Sequence, residues 1–116
     1  MTLIAIVDDL LFQAKIREAA GSLGAEVRFV KAAVQVEEAW LDPAVIVVDL
    51  QLTAAEPLEI IRAVRSKHPT AAMIGYGAHV QAELLAQARA AGCTTVLPRS
   101  AFIQQLGRLL SSQPLF

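Results

Sequence analysis

The chain has 116 residues, of which 55% are hydrophobic and 18% charged, with a formal net charge of −1. That is apolar material for one compact domain over residues 1–116 and too little chain for two, and it excludes compositional disorder and an electrostatic footprint for nucleic acid or an anionic membrane. The longest apolar runs fall far short of the roughly 20 residues of a membrane span, the opening "MTLIAIVDDL" lacks the basic region and cleavage site of a signal peptide, and the lone Cys93 excludes an internal disulfide or a cysteine-based zinc site, so a reduced, cytoplasmic setting is expected.

"LIAIV" (3–7) predicts a first strand. "FQAKIREAAGSL" (12–23) follows at helical spacing, with Phe12, Ile16, Ala19, Ala20 and Leu23 on one side, and Gly24 stops it. "EVRFV" (26–30) is a second strand, set nearer an edge by Arg28, and a weak helix over 34–41 ends before Asp42-Pro43. "AVIVVDL" (44–50) is the third strand; its unbroken branched run suits a strand buried on both faces of a parallel sheet. "PLEIIRAVRSKH" (57–68) is a helix with Pro57 in its first position; Arg65, Lys67 and His68 complement the negative end of its dipole. "AAMIGY" (71–76) is the fourth strand, where Gly75 predicts the close approach of another backbone. "VQAELLAQARAAG" (80–92) is a helix stopped by Gly92, "TTVLP" (94–98) the fifth strand, "AFIQQLGRLL" (101–110) the last helix, and "SSQPLF" a loosely held tail.

Strands alternating with helices imply βαβ units with right-handed crossovers. The fold expected is a flavodoxin-like (βα)5 sandwich, a parallel sheet of order 2-1-3-4-5 with helices on both faces. Its switch point lies between the first and third strands, and ligands bind there, outside the carboxyl ends of the strands.

The acids fall at that point. The first strand runs into Asp8 and Asp9, and the third into Asp49. Each has a structural reading: Asp9 as a helix cap, Asp49 as an acceptor for a loop amide. Together they form a converging, oxygen-rich site. Like charges raise at least one pKa unless a cation is present, and Mg²⁺ takes one or two carboxylates while keeping several waters. Such a site can present one carboxylate for phosphoryl transfer.

With "IAIVDD" at the first strand, "VIVVDLQL" at the third and "GCTTVLPRS" at the fifth, in that order and spacing, the chain resembles the receiver domain of two-component response regulators over essentially its whole length. The resemblance implies that Asp49 accepts a phosphoryl group from a histidine kinase. It implies weak Mg²⁺ binding through Asp9 directly, Asp8 through water, Asp49, and the backbone carbonyl of Gln51. It further implies that the domain signals by protein–protein contact and is not an enzyme. The face made by the helix 80–92, the fifth strand and the last helix is where receivers dimerise or meet partners.

The departures from the receiver pattern are specific. Where receivers carry Thr or Ser at the end of the fourth strand, "MIGYGAH" has Gly77. Where they carry a mobile aromatic residue in the fifth strand, "VLPRS" has Val96. Their Lys-Pro is replaced by Arg99-Ser100, which keeps the positive charge in a bulkier, forked group. The loop "QLTAAEP" lacks the common Pro and Gly pattern. The acid pocket is thus kept while the parts that turn phosphorylation into a change of shape are altered.

Other residues read as structural. His79 is a loop residue bordering the site, His68 complements its helix dipole, Cys93 is a small buried filler, Trp40 packs at the end of the weak helix, and Tyr76 covers the helix that follows its strand. In the last helix Phe102, Leu106 and Leu109 form one stripe, broadened by Ile103 and Leu110. The expectation is a stand-alone, atypical receiver with no effector domain, working in a phosphorelay or, as the altered positions favour, independently of phosphorylation. A flavodoxin-like small-ligand module is the alternative of another class, but the acids would repel an FMN phosphate and no Ser/Thr/Gly-rich loop follows the first strand. A hydrolase using the three Asp and Mg²⁺ lacks an evident acid–base pair beyond them.

Overall fold

The computed structural model describes residues 2–30, 45–51, 56–78 and 80–111. Its strands are β1 (Thr2–Ile6), β2 (Glu26–Val30), β3 (Val45–Asp49), β4 (Ala72–Gly77) and β5 (Thr95–Pro98), and its helices are α1 (Leu10–Ser22), α2 (Pro57–Lys67), α3 (Ala82–Ala91) and α4 (Arg99–Ser111). The predicted helix over 34–41, with Trp40, lies outside the described residues, as do 52–55 of the loop after β3, His79 and the tail 112–116.

The strands form one parallel sheet in the order β2-β1-β3-β4-β5. β1 is apolar after its first residue, Thr2, and β3 until its last, Asp49, and both are buried almost throughout, while β2, carrying Arg28, stands at the edge and alternates. Alternation divides the core into two layers. On one side Ile4, Ile6, Ile46 and Val48 pack against Ile60, Ile61 and Val64 of α2 and Ala88 of α3. On the other, Leu3, Ala5, Val45, Val47, Ile74 and Tyr76 meet Phe12 and Ile16 of α1 and Phe102, Leu106 and Leu110 of α4. Each fully buried Ile, Leu or Val contributes about 1.5–3 kcal/mol by removal from water.

Helix boundaries follow local chemistry. Asp9 caps α1, its Oδ1 accepting from the amides of Leu11 at 2.9 Å and Phe12 at 3.1 Å, so the helix starts at Leu10, earlier than its apolar stripe predicts. It ends before Gly24, whose φ of 69° is the left-handed conformation glycine adopts past a helix end. Pro57 opens α2 as expected. No described helix is long and apolar enough to cross a membrane.

Several expectations need correction. Leu23 is the C-cap of α1 and 42% exposed, because the chain has left the helical face by then. The inner stripe of α4 is Phe102, Leu106 and Leu110, with Leu109 only partly buried; spacing of four brings Leu110, not Leu109, over the sheet. His68 is buried at the end of α2, and its Nε2 has no hydrogen-bond partner. What approaches Gly75 is not backbone: a Cβ there would stand 3.1 Å from Cys93 Sγ and 3.5 Å from Leu50 Cδ2. Tyr76 does not cover α3. It lies in the opposite layer, stacked on Phe12 and Phe102. Cys93 is a buried filler as expected, and burial pushes its thiol up to about 11 against the opposing charges of Arg65 and Arg89.

Candidate functional site

The carboxyl ends of β1 and β3 are neighbours, with Ile6 opposite Val48. The chain leaving β1 therefore delivers Asp8 and Asp9 beside Asp49, at the predicted switch point. Asp49 is 4% exposed. Its Oδ1 accepts the backbone N–H of Gln51 at 2.8 Å, the loop contact that its structural reading describes. Burial raises its carboxyl above the usual 3.8, and the charge of Asp8 adds to this; the Gln51 amide, Arg99 and the Tyr76 hydroxyl pull the other way without cancelling it.

Asp8 is half-buried and bears on Asp49 through its charge. Asp9 is exposed, and its cap on α1 is the other structural reading realised. Among the described residues no three His, Cys, Asp or Glu side chains stand close enough to hold a metal ion as they lie. Asp9, turned to the amides of α1, accounts for part of that spread. A carboxylate has about four acceptor positions, so two amides do not exhaust it.

Arg99 opens α4 at the rim of the site. Its Nη2 donates to Gln51 Oε1, and its guanidinium lies 5.4 Å from the centre of the Phe12 ring. The Gln51 Nε2 in turn donates to Gln81 Oε1 at 3.3 Å. A chain of polar side chains from α4, the end of β3 and the start of α3 thus runs beside Asp49. Phe12, Ala78, Arg99, Ser100, Ile103 and Gln104 line a groove alongside it.

The altered positions have structural causes. Gly77 ends β4 with its α-carbon facing Leu50 and Leu85: a Cβ would stand 3.3 Å from Leu50 Cβ and 3.4 Å from Leu85 Cδ2. Val96 is buried in the α2/α3 layer. A hydroxyl at 77 would enter a space already filled by leucine. Gly77→Thr is therefore expected to lose stability by about 1–3 kcal/mol through overpacking and to give no gain in reactivity of Asp49, measured by urea denaturation and by mass after exposure to acetyl phosphate.

The raised carboxyl of Asp49 has a sign for stability. A carboxyl whose pKa is higher folded than unfolded contributes stability below its unfolded value, and that contribution is lost as pH rises through the folded value. Asp49→Asn, which keeps an oxygen for the Gln51 amide, is expected to be more stable than the parent at neutral pH without added metal. The difference should vanish below about pH 3.8. Thermal midpoints across that range check it; a less stable Asp49→Asn at pH 7 would contradict the burial argument.

Sequence reasoning missed two site features. One is Tyr76, placed against Asp49 by the register of β3 and β4; strand parity counted back from Asp49 could have found it. The other is the Gln51–Gln81 contact, for which the sequence carries no signal.

No family model matches the chain, and no curated protein matches it. Solved structures do. NtrX from Brucella abortus superposes with a TM-score of 0.83 at 14% identity over 95% of this chain, which spans only 26% of NtrX. A response regulator from Thermotoga maritima gives 0.75 at 18% identity, covering 96% of this chain and 98% of that one. A response regulator protein from Burkholderia pseudomallei, with a phosphorylated aspartic acid, a calcium ion and citrate, gives 0.80 at 20% identity, covering 98% of this chain and 66% of that one. The chain has the fold of response regulator receiver domains, the flavodoxin-like sandwich with sheet order 2-1-3-4-5.

Proposed function

We propose that the chain is an atypical receiver domain that accepts a phosphoryl group on Asp49 and signals by protein–protein contact, without catalysing a reaction on another substrate. The observation that carries the reading is a buried strand-end carboxylate at the switch point, with a second acid delivered beside it by the neighbouring strand. A carboxylate oxygen of Asp49 attacks phosphorus, the bond from phosphorus to the donor's leaving group breaks (an imidazole nitrogen for a phosphohistidine, an acyl oxygen for acetyl phosphate), and an acyl phosphate forms. The donor would be a histidine kinase or another phosphorylated signalling protein.

Asp8, Asp9, Asp49 and the Gln51 carbonyl are the residues to hold a divalent cation. The donor set is hard oxygen, which suits Mg²⁺, and the mutual pressure of Asp8 and Asp49 is what a cation would relieve. When bound, the ion would supply positive charge for the phosphoryl oxygens. Arg99, turned to Gln51 and Phe12, supplies positive charge at the rim.

The mode differs from that of an ordinary receiver. Gly77 offers no side chain to grip the phosphoryl group, and Val96, held in the other layer, has no ring to relocate. The α3–β5–α4 face, the candidate surface for a partner or a second copy, is then nearly the same in both states. Intact-mass spectrometry after incubation with acetyl phosphate and Mg²⁺ tests the acceptor: one phosphate should appear and be absent in Asp49→Asn. An unmodified parent, or an adduct that survives the substitution, would refute it.

A further inference from the structure

Tyr76 lies opposite Asp49 in the pairing of β3 with β4, so the two side chains share a face of the sheet. The residue is 0% exposed, and its hydroxyl completes no hydrogen bond of ordinary geometry. Its ring packs in a cluster of three: Phe102 lies with centroids 4.4 Å apart and planes 16° off parallel, Phe12 at 5.0 Å and 19°, and those two rings stand 6.4 Å from each other. The charges that bear on the phenol, those of Asp49, Asp9 and Arg99, are the charges of the site. A buried hydroxyl without a partner is costly to keep. A phenylalanine would fill the same space without that cost. The acceptor that bears on it is the Asp49 carboxylate, which does not complete a bond of ordinary geometry in this arrangement. An oxygen added to Asp49 would have this hydroxyl waiting for it.

We infer that Tyr76 is a positioning residue for the group on Asp49: its phenol donates to the carboxylate and, once the site is loaded, to a phosphoryl oxygen. The hydroxyl missing at 77 is supplied one residue earlier, from the opposite face of β4. Because the ring is fully buried and packed against Phe12 and Phe102, the grip is fixed and holds the adduct without relocating. This rests on the acceptor reading of Asp49.

Tyr76 is the only tyrosine in the chain, so tyrosine labelled with ¹³C at Cζ gives one signal, which reports on the phenol oxygen. Two results are expected. The signal moves when Mg²⁺ and beryllofluoride are added, and Tyr76→Phe binds beryllofluoride roughly ten- to a hundredfold more weakly, the effect of losing one hydrogen bond to a charged group. Amide shifts around Asp49 that respond in both proteins with equal affinity, or a Cζ signal that stays still while they respond, would overturn the inference and leave the acceptor reading standing. If beryllofluoride does not bind the parent at all, the acceptor reading fails instead. The pairing is then decided without ligand: Cζ should move in Asp49→Ala, and an unmoved signal would overturn it.

Discussion

Arg65→Ala is expected to cost about 3 kcal/mol, a large fraction of the 5–15 kcal/mol that holds such a domain together. Arg65 is half-buried at the end of α2 and donates to three backbone carbonyls. Nε and Nη2 reach Gly92 O at 3.0 and 2.7 Å, and Nη1 reaches His68 O at 2.9 Å and Ala71 O at 2.8 Å. Those carbonyls close α2, lead into β4 and end α3. Hydrogen bonds from a charged donor contribute about 1.5–3 kcal/mol each, but they share one side chain and water can replace part of the set, so the sum is not additive. Gly92 is what lets the guanidinium in: its φ is 146°, and a Cβ there would lie 3.0 Å from Arg65 Cβ. Arg65→Lys should recover little, since one ammonium cannot span the carbonyls as the planar fork does. Urea denaturation measures both, with an unchanged slope as the sign that stability alone has moved.

Phe102→Ala should cost about 3–5 kcal/mol, as expected for emptying a fully buried aromatic site. Phe102 is 0% exposed and joins α4 to β4 and α1 through its stacks on Tyr76 and Phe12. Phe102→Leu, which keeps most of the volume, should cost about 1 kcal/mol. The two substitutions separate packing from orientation. Both remove the ring that holds Tyr76, so both should weaken beryllofluoride binding, whereas only Phe102→Ala should lower the urea midpoint strongly. Arg65 and Phe102 belong to opposite layers of the sheet, so their costs should add.

The sheet was legible because its strands are written as apolar runs. "LIAIV" and "VIVVD" cannot be half-exposed, and the helices between them leave right-handed parallel crossovers as the solution. The acids were legible for the same reason, as the first polar residues after those runs. What the sequence hid are reaches across the fold. Arg65 reads as a dipole-complementing residue, yet one of its carbonyl partners is Gly92, 27 positions away. Gly75 reads as a backbone feature and Gly77 as a missing hydroxyl, yet each makes room for Leu50, with Cys93 also pressing on Gly75. Tyr76 reads as a strand-end cover, and only the register with Asp49 turns it towards the site. Arg99 reads as a kept positive charge, and its hydrogen bond goes to the side-chain amide of Gln51.

The central claim is that the acceptor survives while the conventional switch does not. A ligand shifts a two-state equilibrium only by its differential affinity for the two states. A fully buried ring packed against Phe12 and Phe102, a glycine and a valine in the far layer provide little of that difference. Backbone amide shifts recorded with and without Mg²⁺ and beryllofluoride are the direct measurement. Changes confined to Asp8, Asp9, Asp49, Gln51, Tyr76 and Gly77, with α3, β5 and the later turns of α4 unmoved, are the predicted result. Shifts of comparable size across the α3–β5–α4 face would contradict it.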